Sequence, residues 1–158
     1  MQTIMLGGGC FWCTESVFSH VKGVQEVTSG YMGGEAVTAN YQAVCRGDTG
    51  HIEVIKVVFD DTVIPLEVVL GIFFATHDPT TQDRQGNDVG RQYASVIFYS
   101  DEALQKPTID RVIAELRDQQ GMNLVTEVHP AQVFYAAEAY HQNFYANNRS
   151  EERRVGKE

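Results

Sequence analysis

Three glycines and a cysteine, Gly7-Gly8-Gly9-Cys10, stand between an apolar run at residues 2–6 and a segment of helical period that opens Phe11-Trp12-Cys13. Glycine enters the left-handed backbone region without strain, so the run predicts a tight turn from a strand into a helix. Cys10 then falls at the helix N-terminus, against the positive end of the helix dipole. Such a place favours thiolate and lowers a thiol pKa from about 8.5 by one to several units. Cys13 follows one turn further along the same face, in reach of an oxidised sulfur on Cys10.

Three chemistries compete for such a pair. Two buried structural thiols are the plainest, but a glycine run and a helix start have no reason to accompany them. A zinc site needs about four ligands. Cys45, the third cysteine, and a histidine would have to complete it, and no second close-spaced pair exists. No metal is therefore expected, and a redox or nucleophilic pair is favoured. A thioredoxin-like disulfide oxidoreductase also places paired cysteines after a strand. Here, however, Phe11 and Trp12 between the cysteines read as walls of a pocket, and aromatic faces suit thioether and S-methyl groups. A sulfur-containing substrate is the expectation.

A chain of 158 residues suits one domain. Residues 24–31, 51–59 and 93–99 read as strands, and residues 35–50 as loop with about one turn of helix. Residues 11–20 predict a helix with Val17 and Phe18 inward. Pro65 opens an amphipathic helix with Leu66, Val69, Leu70, Phe73 and Phe74 on one face. A second carries Ile109, Val112, Ile113 and Leu116, with Pro107 expected to start, break or kink it. Residues 76–92 predict a long polar loop, 124–134 one or two short strands, and 138–147 a final helix. Strands and helices mix without regular alternation. The expected fold is α+β, a mixed or antiparallel sheet with helices packed on it. A formal net charge of −9 argues against nucleic acid. The lack of a long apolar run argues against a membrane span, and the opening residues do not resemble a signal peptide, so a cytoplasmic location is expected.

Gly9-Cys10-Phe11-Trp12 resembles the signature of A-type peptide methionine sulfoxide reductases. So do Asn40-Tyr41, the run from Val44 through Cys45, Arg46, Gly47, Asp48, Thr49 and Gly50 to His51, then Glu53, His77-Asp78-Pro79, and Arg84-Gln85-Gly86-Asn87-Asp88 with Gln92-Tyr93. The blocks keep their order from Leu6 to Asn148, and together are far more specific than a lone Cys-x-x-Cys. The resemblance implies a ferredoxin-like α/β sandwich, selectivity for the S sulfoxide, and recycling by thioredoxin, with dithiothreitol as a substitute and no bound cofactor. It implies Cys10 as nucleophile, Phe11 and Trp12 around the substrate methyl, and Glu53 as acid. Tyr41 and Tyr93 would bond the sulfoxide oxygen, with Asp88 supporting that site. Clients would be oxidised proteins and free methionine sulfoxide, met by a monomer.

Sulfoxide oxygen leaves poorly until protonated, so a proton donor is needed. Glu53 shares its strand face with Ile55, Val57 and Phe59, where desolvation raises a carboxyl pKa. Read alone, Glu53 is sooner a rim carboxylate, the tyrosines packed aromatics and His51 a solvated strand-end histidine rather than a group orienting Glu53, while Asp88 is equally a turn residue. Many relatives have Gly where Cys13 stands. With no cysteine after Cys45, Cys13 is the expected resolving thiol and Cys45 a buried one. Residues 149–158 equal an in-frame translation of a common short-read sequencing adapter, so the domain is expected to span 1–148 and the rest to be non-native. Two other functions remain: a general disulfide oxidoreductase, and a non-catalytic binder of Met-rich segments.

Overall fold

The computed structural model describes residues 1–142 and Phe144. Strand β1, Gln2–Gly8, runs into helix α1, Phe11–Phe18, and then β2, Val24–Met32. A 3-10 turn at Ala36–Thr38 and the five-residue α2, Tyr41–Cys45, lead to β3, Ile52–Phe59. Helix α3, Leu66–Thr76, is followed by a small hairpin of β4, Arg84–Gln85, and β5, Asp88–Val89. A 3-10 turn at Arg91–Tyr93 opens β6, Ser95–Tyr99, after which come α4, Glu102–Gln120, β7, Glu127–Pro130, and β8, Tyr135–Ala136.

Among the described residues, six strands form one mixed sheet in the order β7-β6-β1-β3-β2-β8, with only the β6–β7 pair parallel. Period-two alternation divides its side chains between two cores. Ile4, Leu6, Ile55, Val57, Phe59 and Ile97 face the helical layer, while Met5, Ile52, Val54, Val96 and Phe98 pack on the opposite side. Leu66, Val69, Leu70, Phe73 and Phe74 of α3 are buried on the helical side, at the expected i, i+3, i+4, i+7 spacing. The expected α+β sandwich with a mixed sheet is the fold observed.

Local differences have local causes. Val17 is 40% exposed, because the inward stripe of α1 is Phe11, Thr14, Glu15 and Phe18. Pro107 lies inside α4 rather than at its start. Asp101 caps the helix by accepting from the Leu104 amide at 3.1 Å, so its first turn forms ahead of the proline. The carbonyl that Pro107 leaves unpaired belongs to Ala103, an exposed residue that water can satisfy. The strand expected from residue 93 begins at Ser95, since Tyr93 closes a 3-10 turn. Of the helix expected over residues 138–147, the described part holds a 3-10 turn at Ala139–His141. Residues 149–158 lie outside the described residues.

Candidate active site

β3 and β6 both pair antiparallel with β1, so their starts lie beside its end, with Leu6 opposite Ile55 and Gly8 opposite Ser95. Glu53 precedes Ile55 by two residues, and Tyr93 precedes Ser95 by two. Both therefore reach the sheet end where the chain turns into α1. Gly9 makes that turn at φ +94°, and a Cβ there would lie 2.6 Å from Gln85 Cγ. Gln85 is itself fixed to Asp78, accepting from its amide at 2.8 Å and donating to its carbonyl at 2.6 Å. The His77-Asp78-Pro79 and Arg84-Gln85 blocks thus roof the glycine turn.

Cys10 is the N-cap residue of α1, and its carbonyl accepts from the Cys13 amide at 3.2 Å. The Phe11 amide, an orphan donor of the first turn, donates to Glu53 Oε1 at 3.2 Å. Tyr41 opens α2, which Asn40 caps by accepting from the Ala43 amide at 2.9 Å. The Trp12 ring stacks beside Tyr41 with centroids 6.0 Å apart. Tyr93 lies in the field of Glu53, Asp88, Cys45 and Cys10, and Asp88 acts on Glu53 from β5. Every residue named from the sequence as a site candidate is thus gathered at one end of the sheet.

Burial sets the protonation of this cluster. Glu53 is 2% exposed, and desolvation pushes its carboxyl up to about 8 against the Phe11 amide, with Asp88 and Cys13 adding to the rise. Burial also pushes the Tyr41 and Tyr93 hydroxyls above their ordinary range, so both stay neutral. The Cys10 thiol is raised as well, first by its hydrogen bond to Cys13, then by burial and by the neighbouring Glu53 charge. The expected thiolate is therefore corrected. In the resting site, those three influences outweigh the helix start, where the Trp12 amide is the opposing contact. The arrangement is a protonated thiol beside a carboxyl that changes charge near neutrality, under two neutral hydroxyls.

Two further expectations are corrected. Cys45 is exposed rather than buried, at the end of α2, where it hydrogen-bonds the Tyr41 side chain one turn back. His51 is 1% exposed rather than solvated. Its Nδ1 accepts from the Gly34 amide at 3.1 Å and its Nε2 bonds the Glu35 carbonyl at 2.8 Å, so it braces the loop after β2 instead of Glu53. Phe11 is buried against Tyr31 and His141, and Trp12 is half-buried. Among the described residues, no group of three His, Cys, Asp or Glu side chains is placed to hold a metal ion. Nor is any helix there long and apolar enough to cross a membrane.

Two neighbours of the site had no signal in the sequence. Glu138 accepts from the Tyr31 hydroxyl at 3.0 Å and from the Tyr41 amide at 3.1 Å. His141 Nδ1 accepts from Trp12 Nε1 at 3.0 Å. Both come from a segment of mixed Ala, Tyr and polar residues whose spacing matches no chemical motif.

The family model described as peptide methionine sulfoxide reductase matches residues 2–157. A protein of Psychrobacter cryohalolentis named Peptide methionine sulfoxide reductase MsrA is 72% identical over 148 residues, covering 94% of this chain and 84% of its own. The crystal structure of Mxr1 from Saccharomyces cerevisiae in reduced form superposes with TM-score 0.87 at 34% identity, over 94% of this chain and 86% of that one. Mxr1 in complex with Trx2 matches with TM-score 0.62 at 26% identity, over 90% and 84%. On the match of that model along nearly its whole length, the chain belongs to the peptide methionine sulfoxide reductase family.

Proposed function

We propose that this chain reduces the S epimer of methionine sulfoxide, free or in proteins, with Cys10 as nucleophile and Glu53 as proton donor. The carrying observation is the buried Glu53 carboxyl, bonded to the amide next to Cys10 and pushed up to about 8. Near pH 7 such a group is protonated in about nine molecules of ten. The Cys10 sulfur attacks the sulfoxide sulfur while Glu53 protonates the oxygen and Tyr41 and Tyr93 donate hydrogen bonds to it. The thiol proton replaces the one Glu53 gave. The oxygen passes to Cys10 as a sulfenic acid and methionine departs, so one thiol and one sulfoxide give one sulfenic acid and one thioether. Trp12 lies against the S-methyl group, and Asp88 supports the oxygen site.

Cys13 is the resolving thiol in this reading. Its sulfur attacks the sulfenic sulfur, forming the Cys10–Cys13 disulfide and releasing water. The hydrogen bond between the two thiols supports the assignment. A dithiol then reduces the disulfide, and the complex of Mxr1 with Trx2 supports thioredoxin as its class. The reading includes no bound cofactor, a cytoplasmic monomer, and a domain of residues 1–148 followed by a non-native segment.

Dithiothreitol-dependent loss of methionine sulfoxide, followed for each epimer, tests the function. Turnover of the S epimer alone is expected, and none with Cys10→Ser. Single-turnover methionine release by Cys10→Ser at the wild-type rate would overturn the scheme. Sedimentation across concentrations checks the monomer, and the source DNA beyond the Asn148 codon checks the domain limit.

A further inference from the structure

Resting on the reading of Trp12 as the wall of the substrate pocket, we infer that His141 is a positioning residue for the reaction, fixing the Trp12 indole through the hydrogen bond to its Nδ1. The sequence separation is 129 residues, and the Nε1–Nδ1 distance is 3.0 Å. The indole is a donor only, so Nδ1 must be the unprotonated acceptor and the proton sits on Nε2. Nε2 is buried and, among the described residues, has no hydrogen-bond partner. Leaving a buried donor unpaired costs stability, and a phenylalanine would fill the same space without that cost. A histidine here is therefore explained by what its other nitrogen does. Burial also lowers its pKa, despite the nearby Glu138 charge, which keeps Nδ1 free to accept.

The surroundings fix the imidazole in turn. Its ring lies 4.4 Å from Tyr41, 4.1 Å from Tyr140 and 5.4 Å from Phe11. Phe144, from the same segment, stacks on Trp12 at 3.9 Å and 9°. Trp12 is thus held at its nitrogen and on its face by residues that follow β8, and Tyr41 is held at its amide by Glu138. The indole has two soft torsions, and one directional bond at its far edge sets both. Without that bond the wall swings, and substrate is held less firmly in the pose the thiol attacks.

Trp12 is the single tryptophan of the chain, so its indole N–H gives one resonance in a nitrogen-15 correlation spectrum. In His141→Phe this resonance is expected to move upfield and exchange faster with solvent. The kcat/KM for methionine sulfoxide should fall about fivefold to tenfold, carried by KM, as for loss of one partly buried hydrogen bond. His141→Asn places an oxygen where Nδ1 stood, and should restore both the resonance and KM even if His141→Phe folds poorly. An unmoved indole resonance in His141→Phe, or equal KM in the Phe and Asn variants, would overturn the inference. Trp12→Phe tests the underlying reading separately. An unchanged KM there refutes Trp12 as a wall, whereas a raised KM beside a normal His141→Phe refutes only the role of His141.

Discussion

Glu53→Gln should stabilise the fold and abolish most of the activity, and the two effects have one cause. The carboxyl moves from an ordinary 4.5 to about 8 on burial. Its folded-state pKa is raised, so the folded protein holds the proton more tightly than the unfolded chain. Any stability it contributes is therefore fully present below pH 4.5 and is lost as pH rises from 4.5 through 8. Integrated to pH 7, the loss is about 3 kcal/mol, approaching about 5 kcal/mol by pH 9. Glutamine keeps the shape, the acceptor for the Phe11 amide and a donor in place of the carboxyl O–H, but carries no such cost. Urea unfolding at pH 4, 7 and 9 reads the difference directly, since other titrating groups largely cancel between the two proteins. The gap should be small at pH 4 and widen by a few kcal/mol by pH 9. Chemical turnover should fall about a hundredfold to ten-thousandfold, the usual cost of a positioned general acid. A gap flat with pH, or a variant less stable than wild type at pH 9, would refute the raised carboxyl. Full activity in the variant would refute its role.

Wild-type single-turnover rates should decline as pH rises through about 8, where Glu53 loses the proton it must donate; a rate that climbs through that range would point to another donor. Glu53→Gln also removes one of the influences that raise the Cys10 thiol, so alkylation of Cys10 by iodoacetamide at pH 8 should be faster than in wild type. Tyr41→Phe and Tyr93→Phe should each cost less than Glu53→Gln, because each leaves one hydroxyl in place, and the double variant should cost more than either in the same single-turnover assay. Cys13→Ser should release about one methionine per enzyme yet recycle poorly with thioredoxin. Peptide mapping of oxidised protein checks this: a Cys10–Cys45 bridge would reassign the resolving thiol, and the exposure of Cys45 makes that outcome chemically accessible.

The fold was legible wherever a period was long. The face of α3 follows from Leu66, Val69, Leu70, Phe73 and Phe74 alone, and the alternation of β3 separates Ile55, Val57 and Phe59 from Val54. Eight residues of α1 span barely two turns, too few to fix from the sequence which side faces in, and Val17 faces out. Pro107 neither starts nor breaks α4, because a good cap at Asp101 lets the helix form before the proline and an exposed carbonyl absorbs the lost bond. For His51 and Cys45 residue type points the wrong way, polar outside and cysteine inside. The loop after β2 instead supplied His51 with an amide and a carbonyl, and the short α2 left Cys45 at the surface.

In the site, spacing revealed which groups meet, while their charge states depended on contacts that no spacing encodes. The glycine run correctly put Cys10 at a helix start. Thiolate did not follow, since the dipole of a short helix competes with the Cys13 hydrogen bond, burial and Glu53. A thiol held protonated beside a carboxyl raised to about 8 is nevertheless a workable pair for sulfoxide chemistry. A preformed thiolate would leave Glu53 ionised and buried once its proton had passed to the oxygen, and an already ionised Glu53 could supply none. With both protons retained until the sulfoxide arrives, the oxygen can draw one from Glu53 as the sulfur gives up the other, and no net charge is created in a buried site. In the proposed reaction, the desolvation that raises Glu53 and Cys10 in the resting protein is therefore the same property that couples their protons.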